Sequence, residues 1–185
     1  MKIVLSNKFY GYCPGLERSL KIADDLCAQA QKEEKKIYFD VPLAHNEIVK
    51  KKLENKGFLQ VKLNQETRGG KNLFLISAHG ASQKKISWLK KHGFKVKSAT
   101  CPKVSRLQEL AAGGYRDGYS IIIFGDQTHP EIIGVNGWIN NSAVILKSAA
   151  EAEALKLTGP AMILSQTTFP LKKFRELADI LKKNN

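Results

Sequence analysis

Short apolar runs alternate with longer amphipathic stretches along the whole chain. The apolar runs near Lys2–Leu5, Lys36–Val41, Asn72–Ser77, Phe94–Ala99, Ser120–Phe124, Ala143–Leu146 and Ala161–Ser165 have the length and β-branched content of buried strands. Between most of them, apolar residues recur at helical spacing, over roughly Leu16–Lys32, Glu47–Lys56, Gln83–His92, Val104–Tyr115, Ala149–Leu157 and Leu171–Lys182. Strands that alternate with helices predict βαβ units, a parallel sheet and an α/β fold.

A second, longer pattern lies over this one. Cys13-Pro14 is followed by Arg18, and Cys101-Pro102 by Arg106 at the same offset. His45-Asn46-Glu47-Ile48-Val49 is matched by His129-Pro130-Glu131-Ile132-Ile133, and Leu75-Ile76-Ser77-Ala78-His79 by Ile163-Leu164-Ser165-Gln166-Thr167. Three landmarks in the same order at comparable spacing predict two open parallel-sheet units related by internal pseudo-symmetry, residues 1–98 and 99–185. Each landmark follows a predicted strand. Ligands of open parallel sheets bind outside the carboxyl ends of the strands, so the landmarks of both units are expected to surround one central site.

The residue types at these landmarks suggest chemistry. Cys13 and Cys101 each precede a proline that opens a helix, where the dipole lowers a thiol pKa and favours the metal-ligating thiolate; two inert buried thiols are the alternative. Cys27 shares an apolar helix face with Leu16, Leu20, Ala23 and Ala30 and is read as core. His45, His79 and His129, three of the four histidines, could bind a diphosphate, ligate a metal or shuttle protons. His92, before Gly93, reads as a helix-end partner without chemistry. Glu131 is either a proton donor or a first-turn carboxylate that stabilises a helix start, and Glu47 carries the same structural reading. Gln166, Thr167 and Thr168 offer neutral hydrogen-bonding groups at the same edge, or a helix cap before Phe169-Pro170. Gly80 and Gly125 are expected to let backbone approach a ligand closely.

Composition changes the picture only at the margins. The chain has 185 residues, 43% of them hydrophobic, enough for one large domain or two small ones. No apolar run is long enough to span a membrane, and Met1–Asn7 is too short for a signal peptide, so a soluble cytoplasmic protein without a membrane partner is expected. An odd count of three cysteines argues against a disulfide framework. Net charge is +13. An anionic partner would suit it, but the lysines cluster at solvent-facing helix positions such as Lys50, Lys51, Lys52, Lys90 and Lys91. No aromatic-interleaved basic motif for nucleic acid appears.

The motifs Gly11-Tyr12-Cys13-Pro14-Gly15-Leu16-Glu17-Arg18, Ala44-His45-Asn46, Ser77-Ala78-His79-Gly80, Ala99-Thr100-Cys101-Pro102, His129-Pro130-Glu131 and Ser165-Gln166-Thr167-Thr168 together resemble the LytB/IspH family, the 4-hydroxy-3-methylbut-2-enyl diphosphate reductases. The resemblance runs along the whole chain. It implies part of a trefoil of three α/β units around a central [4Fe–4S] cluster. It also implies Cys13 and Cys101 as cluster ligands, His45, His79 and His129 on the substrate diphosphate, Glu131 as proton-relay carboxylate and Thr167 as a positioning hydroxyl. The implied reaction removes an allylic hydroxyl with two electrons, supplied by a donor such as ferredoxin or flavodoxin, and two protons, giving isopentenyl and dimethylallyl diphosphates. The family pattern continues into a third unit with a third cysteine and a diphosphate-binding Ser-x-Asn motif; this sequence carries the first two. Ser98, where an Asp is common, and Asp126, where a basic residue is frequent, also depart from it. Three outcomes are therefore open. A separate polypeptide could supply the third unit, two copies could pool four thiolates, or the chain could be a cluster-free diphosphate-binding module without catalysis.

Overall fold

The computed structural model describes residues 12–44 and 46–184. The expected strand at Lys2–Leu5 and the side chain of His45 lie outside the described residues. The elements in chain order are α1 (Pro14–Lys32), β1 (Ile37–Phe39), α2 (Glu47–Glu54), β2 (Phe58–Gln60), β3 (Leu73–Ile76), α3 (Gln83–Lys91), β4 (Lys95–Ser98), α4 (Pro102–Arg116), β5 (Ser120–Phe124), α5 (Pro130–Asn136), β6 (Val144–Leu146), α6 (Ala149–Ala154), β7 (Ala161–Ser165) and α7 (Leu171–Asn184).

The strands form two parallel sheets, one in the order β2-β1-β3-β4 and one in the order β6-β5-β7. The second order repeats the first three strands of the first sheet, with β5 standing where β1 stands. The expected pair of repeated α/β units is the architecture found. The central strands explain why each sheet is covered on both faces. In β3, Leu73 and Leu75 point into the core made with α1 and α2, while Phe74 and Ile76 point into the core beneath α3. In β5, Ile121 and Ile123 face α4 and α5, while Ile122 and Phe124 face α6 and α7. A run that is apolar at every position is what a strand buried on both faces requires.

Two elements escaped the sequence pattern. Strand β2 has three residues and buries only Phe58, so no alternation is visible in it. Helix α5 has seven residues, one of them Gly134, too short for a helical period to register. Its start is nonetheless explained locally. Pro130 occupies the first turn, and the His129 side chain accepts a hydrogen bond from the Glu131 amide. In the first unit, the corresponding cap is Asn46, whose Oδ1 accepts from the amides of Ile48 and Val49. The repeated helices thus begin one residue apart.

Candidate functional site

Helices α1 and α4 begin at their cysteines. Cys13 and Cys101 are the N-caps, both in extended backbone conformation with a proline in the first turn. The thiols make no capping hydrogen bond, and both are free. Arg18 donates to the Thr100 carbonyl (3.1 Å), and the buried Ser19 hydroxyl bonds to the Ala99 carbonyl (2.7 Å), which ties α1 to the segment entering α4. The consequence appears at Gly15. A Cβ there would lie 2.6 Å from the Cys101 sulfur and 3.9 Å from the Cys13 sulfur, so both thiols face the same space, kept open by the missing side chain. Cys27 does not join them. It packs, half-buried, against the first core, and its thiol reaches the Lys56 carbonyl (3.8 Å); burial pushes its pKa up.

The backbone joins this thiol pair to a second cluster. The Cys101 amide donates to the Ala78 carbonyl (3.0 Å), which holds the Ser77–Gly80 loop after β3 beside the start of α4. His79 on that loop and His129 at the start of α5 meet edge to face with ring centroids 5.2 Å apart. Glu131 is only 3% exposed. Its two carboxylate oxygens accept from the Thr167 amide (2.6 Å) and the Thr167 hydroxyl (2.7 Å), across the carboxyl ends of β5 and β7. Among the described residues, His79, His129 and Glu131 are the one group of three potential ligand side chains whose donor atoms lie within 4.8 Å of one another.

Hydrogen-bond direction decides what this cluster suits. A backbone amide can only donate. The Glu131 amide donates to His129 Nδ1 (3.1 Å), so Nδ1 carries the lone pair and the ring hydrogen sits on Nε2. An Nε2–H can donate to an anionic oxygen but offers no lone pair to a cation. Each Glu131 oxygen accepts one bond from Thr167. As arranged, His129 is a donor suited to an anionic oxygen, and Glu131 is a carboxylate fixed beside it. Ser77, buried at the end of β3, adds a hydroxyl that has no partner among the described residues.

The structure thus brings Cys13 to Cys101, and His79 to His129, Glu131 and Thr167. Three other expectations are refined or corrected. His92 caps α3, with Nδ1 2.8 Å from the Trp88 carbonyl and its ring stacked on Trp88, as a helix-end residue would. Gly80 and Gly125 make close approaches within the protein. A Cβ at Gly80 would meet Gln108 Nε2 at 2.7 Å, and one at Gly125 would meet Ile132 and Gln166 at 3.0–3.1 Å. Asp126 builds the turn into His129. Its carboxylate accepts from the amide and hydroxyl of Thr128, bonds that hold its pKa below the usual range. Sequence reasoning missed Gly15, Ser19, Gln108 and Trp138, whose roles depend on contacts remote in the chain.

The clustered residues His79, His129, Glu131 and Thr167 lie beyond the carboxyl ends of β3, β5 and β7, in an α/β protein of two parallel sheets. The family model described as LytB protein matches residues 3–185, and the chain belongs to this family. It is 34% identical over 183 residues to the 4-hydroxy-3-methylbut-2-enyl diphosphate reductase of Caldanaerobacter subterraneus subsp. tengcongensis, covering 97% of this chain and 62% of that protein. It is 35% identical over 185 residues to the reductase of the same name from Thermoanaerobacter sp., with 98% and 62% covered. The chain therefore spans about 62% of the length of these curated relatives. Among solved structures, (E)-4-hydroxy-3-methyl-but-2-enyl diphosphate reductase superposes with a TM-score of 0.78 at 30% identity, over 92% of this chain and 60% of the other. The Plasmodium falciparum reductase shares the fold, with a TM-score of 0.85 at 24% identity, over 94% and 54% of the respective chains.

Proposed function

We propose that this chain binds a diphosphate ester at the cluster of His79, His129, Glu131 and Thr167. The observation that carries the reading is the bond from the Glu131 amide to His129 Nδ1, which leaves the ring hydrogen on Nε2, a donor for an anionic oxygen. His79 stands against it, and His45, on the matching landmark of the first unit, is a third candidate for the same anion. Thr167 holds the Glu131 carboxylate in one place beside the imidazoles, as a proton-relay carboxylate requires. The names of the relatives support an allylic diphosphate as the ligand. Calorimetry with inorganic pyrophosphate and with an allylic diphosphate tests this. One saturable site is expected, weakened about tenfold or more by His129→Ala, the loss of one hydrogen bond to a charged group. Absence of saturable binding, or equal affinity in the variant, overturns it.

A second reading, an iron–sulfur reductase of such a diphosphate, is favoured by the thiol pair at Gly15. Clusters of the [4Fe–4S] type are held by cysteine thiolates, and the space between Cys13 and Cys101 that a Cβ at Gly15 would fill suits two such ligands. Bound there, the cluster would supply electrons from a donor such as ferredoxin or flavodoxin, and a Lewis-acidic iron. Cys27 is turned to the core, so within these residues Cys13 and Cys101 are the thiols placed for it. In this reading the histidines orient the diphosphate, and Glu131, positioned by Thr167, relays protons. Iron and acid-labile sulfide per chain after anaerobic reconstitution, with the mass in solution, test it. Iron lost in Cys13→Ser and Cys101→Ser but kept in Cys27→Ser is the expected result. A folded, colourless protein leaves only the cluster-free binding module.

A further inference from the structure

We propose that the glycine face of α5, together with the Trp138 indole and the Gln108 amide, forms a clamp that sets the separation of the His79 and His129 imidazoles, making Gly134, Gly137, Trp138 and Gln108 positioning residues of the anion site. The inference takes its ligand from the diphosphate-binding reading; the clamp itself is a matter of geometry alone.

Gly137 has φ −68° and ψ −8°, a conformation open to any residue, so backbone freedom is not what it provides. It provides clearance. A Cβ at Gly137 would lie 2.2 Å from the Cβ of Ser82, and one at Gly134 would lie 3.3 Å from the His79 carbonyl oxygen. Residues three apart share a helix face, so α5 is pressed against the 79–82 segment along one bare stripe. That segment cannot simply retreat, because the Ser82 hydroxyl caps α3 by accepting from the Lys85 amide (3.2 Å). Two donors from the second unit then fix it. Trp138 Nε1 donates to the Ala81 carbonyl (3.0 Å), and the buried Gln108 Nε2 reaches the same oxygen (3.5 Å). The turn crosses over Gln108 at Gly80, where φ is +78° and a Cβ would stand 2.7 Å from the amide nitrogen. Gly80 is the residue after His79, and α5 begins at His129. In a seven-residue helix, a displacement at Gly137 passes directly to His129.

The test uses three variants. Gly137→Ala adds a methyl at the clamp. Trp138→Phe removes the donor together with the five-membered ring that carries it and keeps an aromatic ring at the position. Gly113→Ala, in α4, adds a Cβ with nothing within 4 Å and serves as control. Each is measured for the nuclear Overhauser effect between the His79 and His129 ring protons, for the Kd of inorganic pyrophosphate, and for Tm. The wild type and Gly113→Ala should give the ring-to-ring cross-peak and the same Kd. Trp138→Phe should weaken the cross-peak and raise the Kd about fivefold, the effect of one hydrogen bond. Gly137→Ala should abolish the cross-peak and raise the Kd more than tenfold. A lowered Tm with an unchanged cross-peak and Kd would mean a merely structural contact and overturn the clamp. Should Gly137→Ala not fold, Trp138→Phe decides. If the wild type binds no pyrophosphate, the diphosphate reading fails, while the cross-peak series still judges the clamp.

Discussion

At the scale of single residues, the most constrained group is the Glu131 carboxylate. It is buried, and a buried carboxylate persists only where hydrogen bonds replace its water. Here the replacement comes from one residue, Thr167, through its amide and its hydroxyl. Thr167→Val keeps the shape and removes the hydroxyl donor. It should lower unfolding stability by about 1.5–3 kcal/mol, the range for a hydrogen bond to a charged group, as read from the urea midpoint at unchanged m-value. An unchanged midpoint would mean that the amide alone satisfies the carboxylate. The cysteines divide by the same physics. Cys13 and Cys101 sit at helix starts beside the open space at Gly15, whereas Cys27 is packed into the core with its pKa raised by burial.

Among the elements, the ends matter more than the middles. Helix α1 starts at Cys13 and stops at Glu33, and the stop is tied across the fold. The Glu33 carboxylate bonds to Lys35 and Gln29, and to Lys95 of β4 at 3.1 Å. These contacts, led by Lys35, draw its pKa from 4.5 down to about 2. A carboxylate with a depressed folded-state pKa contributes stability that is present above its unfolded pKa and lost as pH falls toward the folded one. The Tm difference between wild type and Glu33→Gln should therefore be full above about pH 5 and close as pH falls from 4.5 to about 2. A difference independent of pH would show that the ion pairs do not set it. Helix α6 is secured differently, by a capping box in which Ser148 and Glu151 exchange bonds with each other's backbone. Its six residues would otherwise hardly form a helix.

For the molecule as a whole, the question is whether its charge or its site selects the ligand. A net charge of +13 attracts any polyanion at low salt. Lys90 and Lys91 are exposed at the end of α3 and take no part in the site. Replacing both with Gln should leave the pyrophosphate Kd within about twofold at 0.15 M salt, since exposed charges beyond a Debye length of about 8 Å are screened. If the double variant instead matched the loss in His129→Ala, diffuse charge and not the imidazole cluster would be the binding determinant. Among the described residues, no helix is long and apolar enough to cross a membrane.

The sequence by itself determined the α/β class, the repeat and the landmarks. The central strands are apolar at every position but the exposed Ser120 because both faces are covered, and Cys13, Cys101, His79, His129, Glu131 and Thr167 fall where the strand-to-helix pattern puts a sheet's carboxyl edge. Local periodicity and capping chemistry are properties of neighbouring residues, so they can be read along the chain. Only the tertiary structure decided which landmarks meet and in what state. The His129 tautomer follows from which atom the Glu131 amide faces, and the Glu131–Thr167 pairing joins residues far apart in sequence. Gly15, Gly134 and Gly137 look like ordinary glycines until the opposing sulfur, carbonyl and Ser82 side chain are in place. Such contacts depend on how the two sheets' loops pack against each other, a choice made by shape and hydrogen bonding over the whole fold and written in no local pattern.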